Sequence, residues 1–239
     1  MERYFDKIYK KGYHAFVDEV EKRVTEDEKS FIITANPETL MIGTEIGEFD
    51  KILKSEHTLI VPDGIGVVKA AAILGYKVKG RITGVELVED LLKILNEQKK
   101  TLYLLGAQDE VLKRFVHKIK CEYPNIKIAG YQNGYVQDKD AVFDEIAEIQ
   151  PDLVLVALGI PVQELLIGRH YDRFSKGIFI GVGGAFDVLS GMKIRAPSLF
   201  IKLNLEWLYR IVTEPKRIKR FYKSNIKFIL KVIEMRKKK

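Results

Sequence analysis

Short apolar runs rich in β-branched residues alternate with stretches of helical spacing along most of the chain. One run, LVLVAL, is apolar at every position, as in strands that are buried on both faces of a parallel sheet. Strands separated by helices form βαβ units. We therefore predict an α/β fold with a Rossmann-like, largely parallel sheet and helices on both faces. The six predicted strands span residues 30–34, 58–61, 102–105, 126–131, 153–158 and 178–182.

Apolar residues at helical spacing fill the segments that follow the first four of these strands. The predicted helices cover residues 38–54, 67–74, 86–98, 108–123 and 139–150. After Arg195 the strand pattern stops, and the remaining residues predict helices interrupted at Pro215. We therefore divide the chain into a core, residues 1–195, and a helical C-terminal appendage, residues 196–239.

The composition is that of an ordinary globular protein, with 46% hydrophobic and 31% charged residues among 239. The single cysteine, Cys121, has no partner for an internal disulfide, which fits a reducing compartment. The charged first residues lack the apolar region of a signal peptide. The longest apolar runs are far shorter than the roughly 20 residues that span a bilayer. We expect a cytoplasmic protein.

The positive charge is concentrated in the appendage. Residues 202–239 contain 13 Lys and Arg against 3 Asp and Glu, whereas the rest of the chain contains 27 against 30. A nearly neutral body with a basic tail indicates a local anionic partner. From charge alone, that partner could be nucleic acid, an anionic membrane surface or a diphosphate group.

Polar or glycine-rich segments follow all six predicted strands. In open α/β sheets, ligands bind beyond the carboxyl ends of the strands. Glycines there allow backbone amides to approach a phosphate, although each glycine alone is more often a turn requirement. Neither a G-x-G-x-x-G fingerprint nor a P-loop occurs, which argues against dinucleotide oxidoreductases and P-loop NTPases. The strand-end segments are residues 34–37, 62–66, 106–107, 133–135, 159–164 and 181–187.

Asp63 is the carboxylate that the pattern favours for catalysis. It follows an apolar strand directly, between Pro62 and Gly64, and could act as a general base; a turn or helix cap is an equal alternative from position alone. Asp187 could bind a ribose or sugar hydroxyl, or cap a helix. The four histidines are scattered, and no metal-ligand spacing occurs, so we expect neither a metal nor another cofactor.

A set of motifs resembles the WecG/TagA/CpsF glycosyltransferases (glycosyltransferase family 26) from about residue 31 to residue 221. In chain order the motifs are TANPE, PDGIGVV, RITGVEL, LYLLGA, NGY and ALGIPVQE. The most specific block is GVGGAFDVLSGMKIRAPSLFIKLNLEWLYRIVTEPKRIKRF, at residues 181–221. The chain departs from the family pattern at its short, charged N-terminus and at Leu165-Leu166, where the family usually has an aromatic residue.

The resemblance implies a metal-independent, inverting transfer from a UDP-sugar to an undecaprenyl-diphosphate-linked amino sugar. N-acetylmannosamine is the expected sugar and N-acetylglucosamine the expected acceptor sugar, with Asp63 matching the proposed base. The expected substrate-binding residues are Thr34, Asn36, Gly64, Arg81, Asn133, Gln163, Gly183, Gly184, Asp187, Arg210, Arg217 and Arg220.

In the absence of a metal, arginines would offset the charge of the departing diphosphate. We expect the basic appendage to contact the acceptor diphosphate and the anionic inner face of the cell membrane, where the protein would be peripheral. Self-association is left open, and nucleic acid is not an expected partner. The alternatives are a non-catalytic protein that binds an anionic surface or nucleic acid, and a nucleotide-sugar epimerase or dehydrogenase.

Overall fold

A computed structural model describes residues 1–214 and 218–238. Six parallel strands form one sheet in the order β2-β1-β6-β5-β3-β4. All six predicted strands are present, so the predicted Rossmann-like parallel sheet is confirmed. The strands are β1 (Lys29–Ala35), β2 (Thr58–Pro62), β3 (Thr101–Gly106), β4 (Lys127–Gln132), β5 (Leu153–Ala157) and β6 (Gly177–Gly181).

Helices cover both faces of the sheet. One short 3₁₀ helix, Tyr171–Arg173, lies between α9 and β6. The helices are α1 (Glu2–Lys7), α2 (Tyr13–Thr25), α3 (Pro37–Glu45), α4 (Gly47–Lys54), α5 (Ile65–Ile73), α6 (Gly84–Gln98), α7 (Asp109–Glu122), α8 (Lys139–Ile149), α9 (Val162–His170), α10 (Ala185–Leu189), α11 (Ser198–Lys202), α12 (Glu206–Thr213) and α13 (Ile218–Lys237).

Two apolar clusters hold the three layers together, one on each face of the sheet. Successive residues of a strand point to opposite faces, so Phe31 and Ile33 join one cluster while Ile32 joins the other. Buried residues of α1, α3, α4, α5, α8, α9 and α13 belong to the first cluster. Those of α2, α6, α7 and α10 belong to the second. Burial on both faces explains why β5 is apolar throughout.

The neighbouring strands β1 and β6 lead to helices on opposite faces. The chain leaves β1 into α3, on the first face, and leaves β6 into α10, on the second. Loops that diverge in this way open a crevice at the carboxyl ends of the two strands. β2 lies beside β1, with Pro62 in register with Ala35, so the segment after β2 reaches the same crevice.

Two local predictions differ from the structure. Residues 38–54 form two helices, because Ile46 has extended backbone angles of φ −116° and ψ 109°. Ile46 still packs against the core, so the apolar spacing continues across the break and conceals it. The N-terminal helices α1 and α2 were not predicted from the charged start of the chain, although Tyr4 and Phe5 are fully buried.

The last helix of the appendage packs on the core. On α13, Phe228 and Val232 are buried in the first apolar cluster, and the Phe228 ring lies 6.5 Å from that of Phe5. Lys227 also donates a 2.7 Å hydrogen bond to Glu45 of α3. Within residues 1–214 and 218–238, no helix has both the length and the apolar character needed to cross a membrane.

Candidate active site

Asp63 lies directly after β2, at the carboxyl edge of the sheet. Its backbone amide and that of Gly64 donate to the Ala35 carbonyl, at 3.0 and 3.3 Å, which ties the turn to the end of β1. A Cβ atom on Gly64 would lie only 3.1 Å from Pro37 and 3.2 Å from Asn36. The glycine therefore allows the turn after β2 to pack closely against the start of α3.

Charged groups from two distant parts of the chain surround the Asp63 carboxyl. Burial raises its pKa above the ordinary aspartate range; the charge of Arg210 opposes this rise, Glu206 adds to it, and Arg81 opposes it more weakly. The backbone amide of Gly84, at the start of α6, also donates to the carboxylate. A carboxylate with a raised pKa holds an accepted proton more strongly, so it is suited to take a proton from a hydroxyl.

Glu206 joins the two arginines. Its carboxylate lies 2.8 Å from the guanidinium of Arg210, one turn later on α12, and 3.7 Å from that of Arg81 in the core. Only 7% of Glu206 is exposed. The appendage therefore contributes part of the charged surroundings of Asp63.

Thr34 and Asn36 flank the same turn. The Thr34 hydroxyl donates to the Gly181 carbonyl at 3.3 Å and thereby links β1 to β6. The Asn36 side chain accepts from the Thr39 amide at 3.0 Å and caps α3, while the Thr39 hydroxyl accepts from the Asn36 amide. Both residues therefore line the crevice and also fix its backbone.

Gln163 is buried and fixes two loops of the crevice. Its side-chain oxygen accepts from the backbone amides of Gly159, at 3.0 Å, and Gly183, at 3.1 Å. Its amide group donates to Glu164 at 2.8 Å. The oxygen of Gln163 is thus engaged within the protein, and its direct role in binding substrate stays a prediction.

Gly183, Gly184 and Asp187 lie together after β6. Gly183 has a positive φ of 48°, which favours glycine, and Gly184 precedes α10. Asp187 forms an ion pair with Lys193 at 3.8 Å. Since Ile33 of β1 is in register with Gly181, this loop lies beside the Thr34 side of the crevice.

Asn133 lies at the opposite end of the sheet from Asp63. It follows β4, the outer strand at one edge, whereas Asp63 follows β2 at the other edge. Five strand spacings separate these edges, which amounts to about 24 Å. The Asn133 side chain accepts from the Tyr135 amide at 3.0 Å and shapes its own turn. The structure therefore does not bring Asn133 to the immediate surroundings of Asp63.

Two of the predicted arginines have side chains outside the described residues. Arg217 is outside the described residues, and Arg220 lies within α13 with its side chain outside them. Their roles stay predictions. Among residues 1–214 and 218–238, no three His, Cys, Asp or Glu side chains are grouped so that they could hold a metal ion.

Two carboxylates at the crevice were not predicted as site residues. Glu206 belongs to the LEW motif, and its signal in the sequence was that it is one of only 3 acids in the strongly basic residues 202–239. Glu164 is buried, and burial raises its pKa to about 7. Among the described residues, one of its oxygens has no hydrogen-bond partner.

Comparison with known proteins identifies the family of the chain. The chain matches the Glycosyl transferase WecG/TagA/CpsF family over residues 6–239. Three similar proteins are each named N-acetylglucosaminyldiphosphoundecaprenol N-acetyl-beta-D-mannosaminyltransferase. The protein from Bacillus subtilis (strain 168) is 43% identical over 226 residues, which are 94% of this chain and 88% of that protein.

The two other relatives are slightly more distant. The protein from Bacillus spizizenii (strain ATCC 23059 / NRRL B-14472 / W23) is 40% identical, covering 86% of this chain and 80% of its own. The protein from Staphylococcus aureus (strain NCTC 8325 / PS 47) is 38% identical, covering 87% and 81%. The match extends over nearly the whole chain, including the appendage. The chain belongs to the WecG/TagA/CpsF glycosyl transferase family.

Proposed function

We propose that this glycosyltransferase moves N-acetylmannosamine from a UDP-sugar to N-acetylglucosamine carried on undecaprenyl diphosphate, with inversion and without a metal ion. The names of the relatives support the sugar and the acceptor. The observation that carries the proposal is the Asp63 carboxyl, which faces arginines at the carboxyl edge of a parallel sheet.

The arrangement suggests a single displacement. The acceptor hydroxyl loses its proton to the Asp63 carboxylate while its oxygen forms a bond to the anomeric carbon of the donor. The bond from that carbon to the diphosphate breaks on the opposite face, and its electron pair leaves with UDP. Arginine guanidiniums can offset the charge on the departing diphosphate, because they donate paired hydrogen bonds to phosphate.

Among the described residues, Arg210 and Arg81 are the arginines whose charges lower the pKa of Asp63. We assign them to diphosphate binding, together with Arg217 and Arg220. Within the described residues, both α12 and α13 expose apolar side chains among basic ones, including Val212 at 70% and Leu230 at 62%. This surface supports docking of the appendage on the anionic inner face of the membrane, where the lipid acceptor lies.

The test is a donor panel with the purified protein. UDP release is measured with UDP-N-acetylmannosamine, its uronic acid, UDP-glucose and UDP-glucuronate, each with and without the polyprenyl-diphosphate acceptor. We expect acceptor-dependent UDP release with UDP-N-acetylmannosamine, and a lipid product whose mass rises by one N-acetylhexosamine residue. Binding of the acceptor without UDP release from any donor would favour a non-catalytic binding protein and contradict the proposal.

A further inference from the structure

Glu206 occupies an unusual place for an acidic residue of this appendage. It begins α12, where a negative charge is favourable, and it is one of 3 acids among residues 202–239. Only 7% of it is exposed, whereas Glu234, which also has two cationic partners, lies on the surface of α13. A carboxylate is rarely buried without partners that compensate for the loss of water.

Those partners are the two arginines that also act on Asp63. Arg210 is one helical turn from Glu206 and donates a hydrogen bond at 2.8 Å. Arg81 comes from the loop before α6 and lies 3.7 Å from the other carboxylate oxygen of Glu206. One buried carboxylate therefore joins a guanidinium of the core to a guanidinium of the appendage.

We propose that Glu206 is a positioning residue that holds Arg81 and Arg210 beside Asp63. The proposal rests on the proposed function, because it assigns these arginines to the diphosphate of the reaction. Glu206 fixes two long, flexible side chains before substrate arrives, and its negative charge prevents the arginines from fully neutralising the Asp63 site. Because Glu206 and Arg210 both lie on α12, the pKa of Asp63 also depends on the placement of this helix.

The charges around Asp63 predict the direction in which each substitution should shift the pKa of Asp63. The groups that face Asp63 are Arg210 and Glu206 on α12, Arg81 before α6, and the Gly84 amide. Glu206 raises the pKa of Asp63, whereas both arginines lower it. Loss of the Glu206 charge with the arginines still in place therefore lowers the pKa. Loss of the arginines raises it.

Two substitutions separate the effect of the Glu206 charge from its role in anchoring the two arginines. Glu206→Gln keeps an oxygen that accepts from Arg210 but removes the charge, so we expect the acid limb of kcat/KM to move to lower pH, with a loss of rate below about 10-fold. Glu206→Ala removes the anchor as well. Misplaced arginines should then lower kcat/KM by on the order of 10²-fold, and the acid limb of this variant should lie above that of Glu206→Gln. Glu234→Gln, the matched control, should behave as the wild type.

A second readout does not depend on turnover. Because burial raises the pKa of Asp63 in the folded state, the fold loses stability as pH rises from the unfolded-state pKa to the folded-state pKa. Asp63→Asn should therefore gain stability relative to the parent protein as pH rises. In the Glu206→Gln background the folded-state pKa is lower, so that gain should level off at lower pH and be smaller. If Glu206→Ala does not fold, Glu206→Gln still tests the proposal by both readouts.

The outcomes distinguish this inference from the proposed function. An inactive wild type with the expected shift in stability would refute the sugar transfer but retain the placement of Glu206. Wild-type rate and an unchanged acid limb in both Glu206 variants would overturn the positioning role. Tighter UDP binding by Glu206→Gln would also overturn it, since Glu206 would then be competing with the diphosphate for the arginines.

Discussion

The last helix can be tested as part of the fold by substituting Phe228. This ring is 2% exposed and packs against Phe5 on the first face of the sheet. Replacing a buried phenylalanine with alanine removes apolar contacts and leaves a cavity, which costs about 3–5 kcal/mol. For a chain of this length, each kcal/mol lowers Tm by roughly 2–4 °C. We therefore expect Phe228→Ala to lower Tm by roughly 6–20 °C.

The neighbouring residue supplies a matched control. Ile229 follows Phe228 on α13 but is 56% exposed, so Ile229→Ala should change stability by no more than about 0.5 kcal/mol. Urea unfolding and thermal melting would be recorded for both variants, with trypsin cleavage within α13 as a local measure of undocking. Equal stability and equal cleavage of the two variants would refute the packing of α13 on the core.

Three further predictions concern the crevice and the appendage. Gln163→Met leaves the partly buried Gly159 and Gly183 amides without their acceptor, a loss of up to about 1–3 kcal/mol for each amide. Urea unfolding should show this loss, and a variant as stable as the exposed control Gln137→Met would argue against it. EDTA should leave transfer intact, and a loss of activity that Mg²⁺ or Mn²⁺ restores would disprove metal independence. Sedimentation with anionic vesicles should weaken as salt rises, because each Lys or Arg near the surface contributes about 1 kcal/mol; salt-independent binding would argue against electrostatic docking.

The strands were predictable because buried strands consist of short runs of apolar residues. β5 lies between two apolar layers, so each of its residues is apolar and no helical spacing competes. Helix α1 was not predicted because four of its six residues are charged, while Tyr4 and Phe5 make its core contacts. In α2, Phe16, Val20 and Val24 are buried at helical spacing, a pattern that was not recognised among the charged residues. The break at Ile46 was also missed, since a corner between two helices need not interrupt apolar spacing.

The site was predictable only as far as strand ends determine it. The rule that ligands bind at carboxyl ends of strands placed Asp63, Thr34 and Asn36 together, because β1 and β2 are neighbours. It also grouped Asn133 with them, although the strand order puts Asn133 at the far edge. The contact between Glu206 and Arg81 depends on how α12 folds back over the core, which no local pattern encodes.

The central claim is that Asp63 takes the proton during sugar transfer, and one substitution tests it most directly. Asp63→Asn keeps the shape of the side chain but removes its capacity as a base. Asp18→Asn, on the exposed face of α2, provides the control. Turnover would be measured with UDP-N-acetylmannosamine and the polyprenyl-diphosphate acceptor, alongside UDP binding and circular dichroism. We expect kcat of Asp63→Asn to fall by about 10²-fold or more, with UDP binding and fold retained. Turnover near that of Asp18→Asn would contradict the claim.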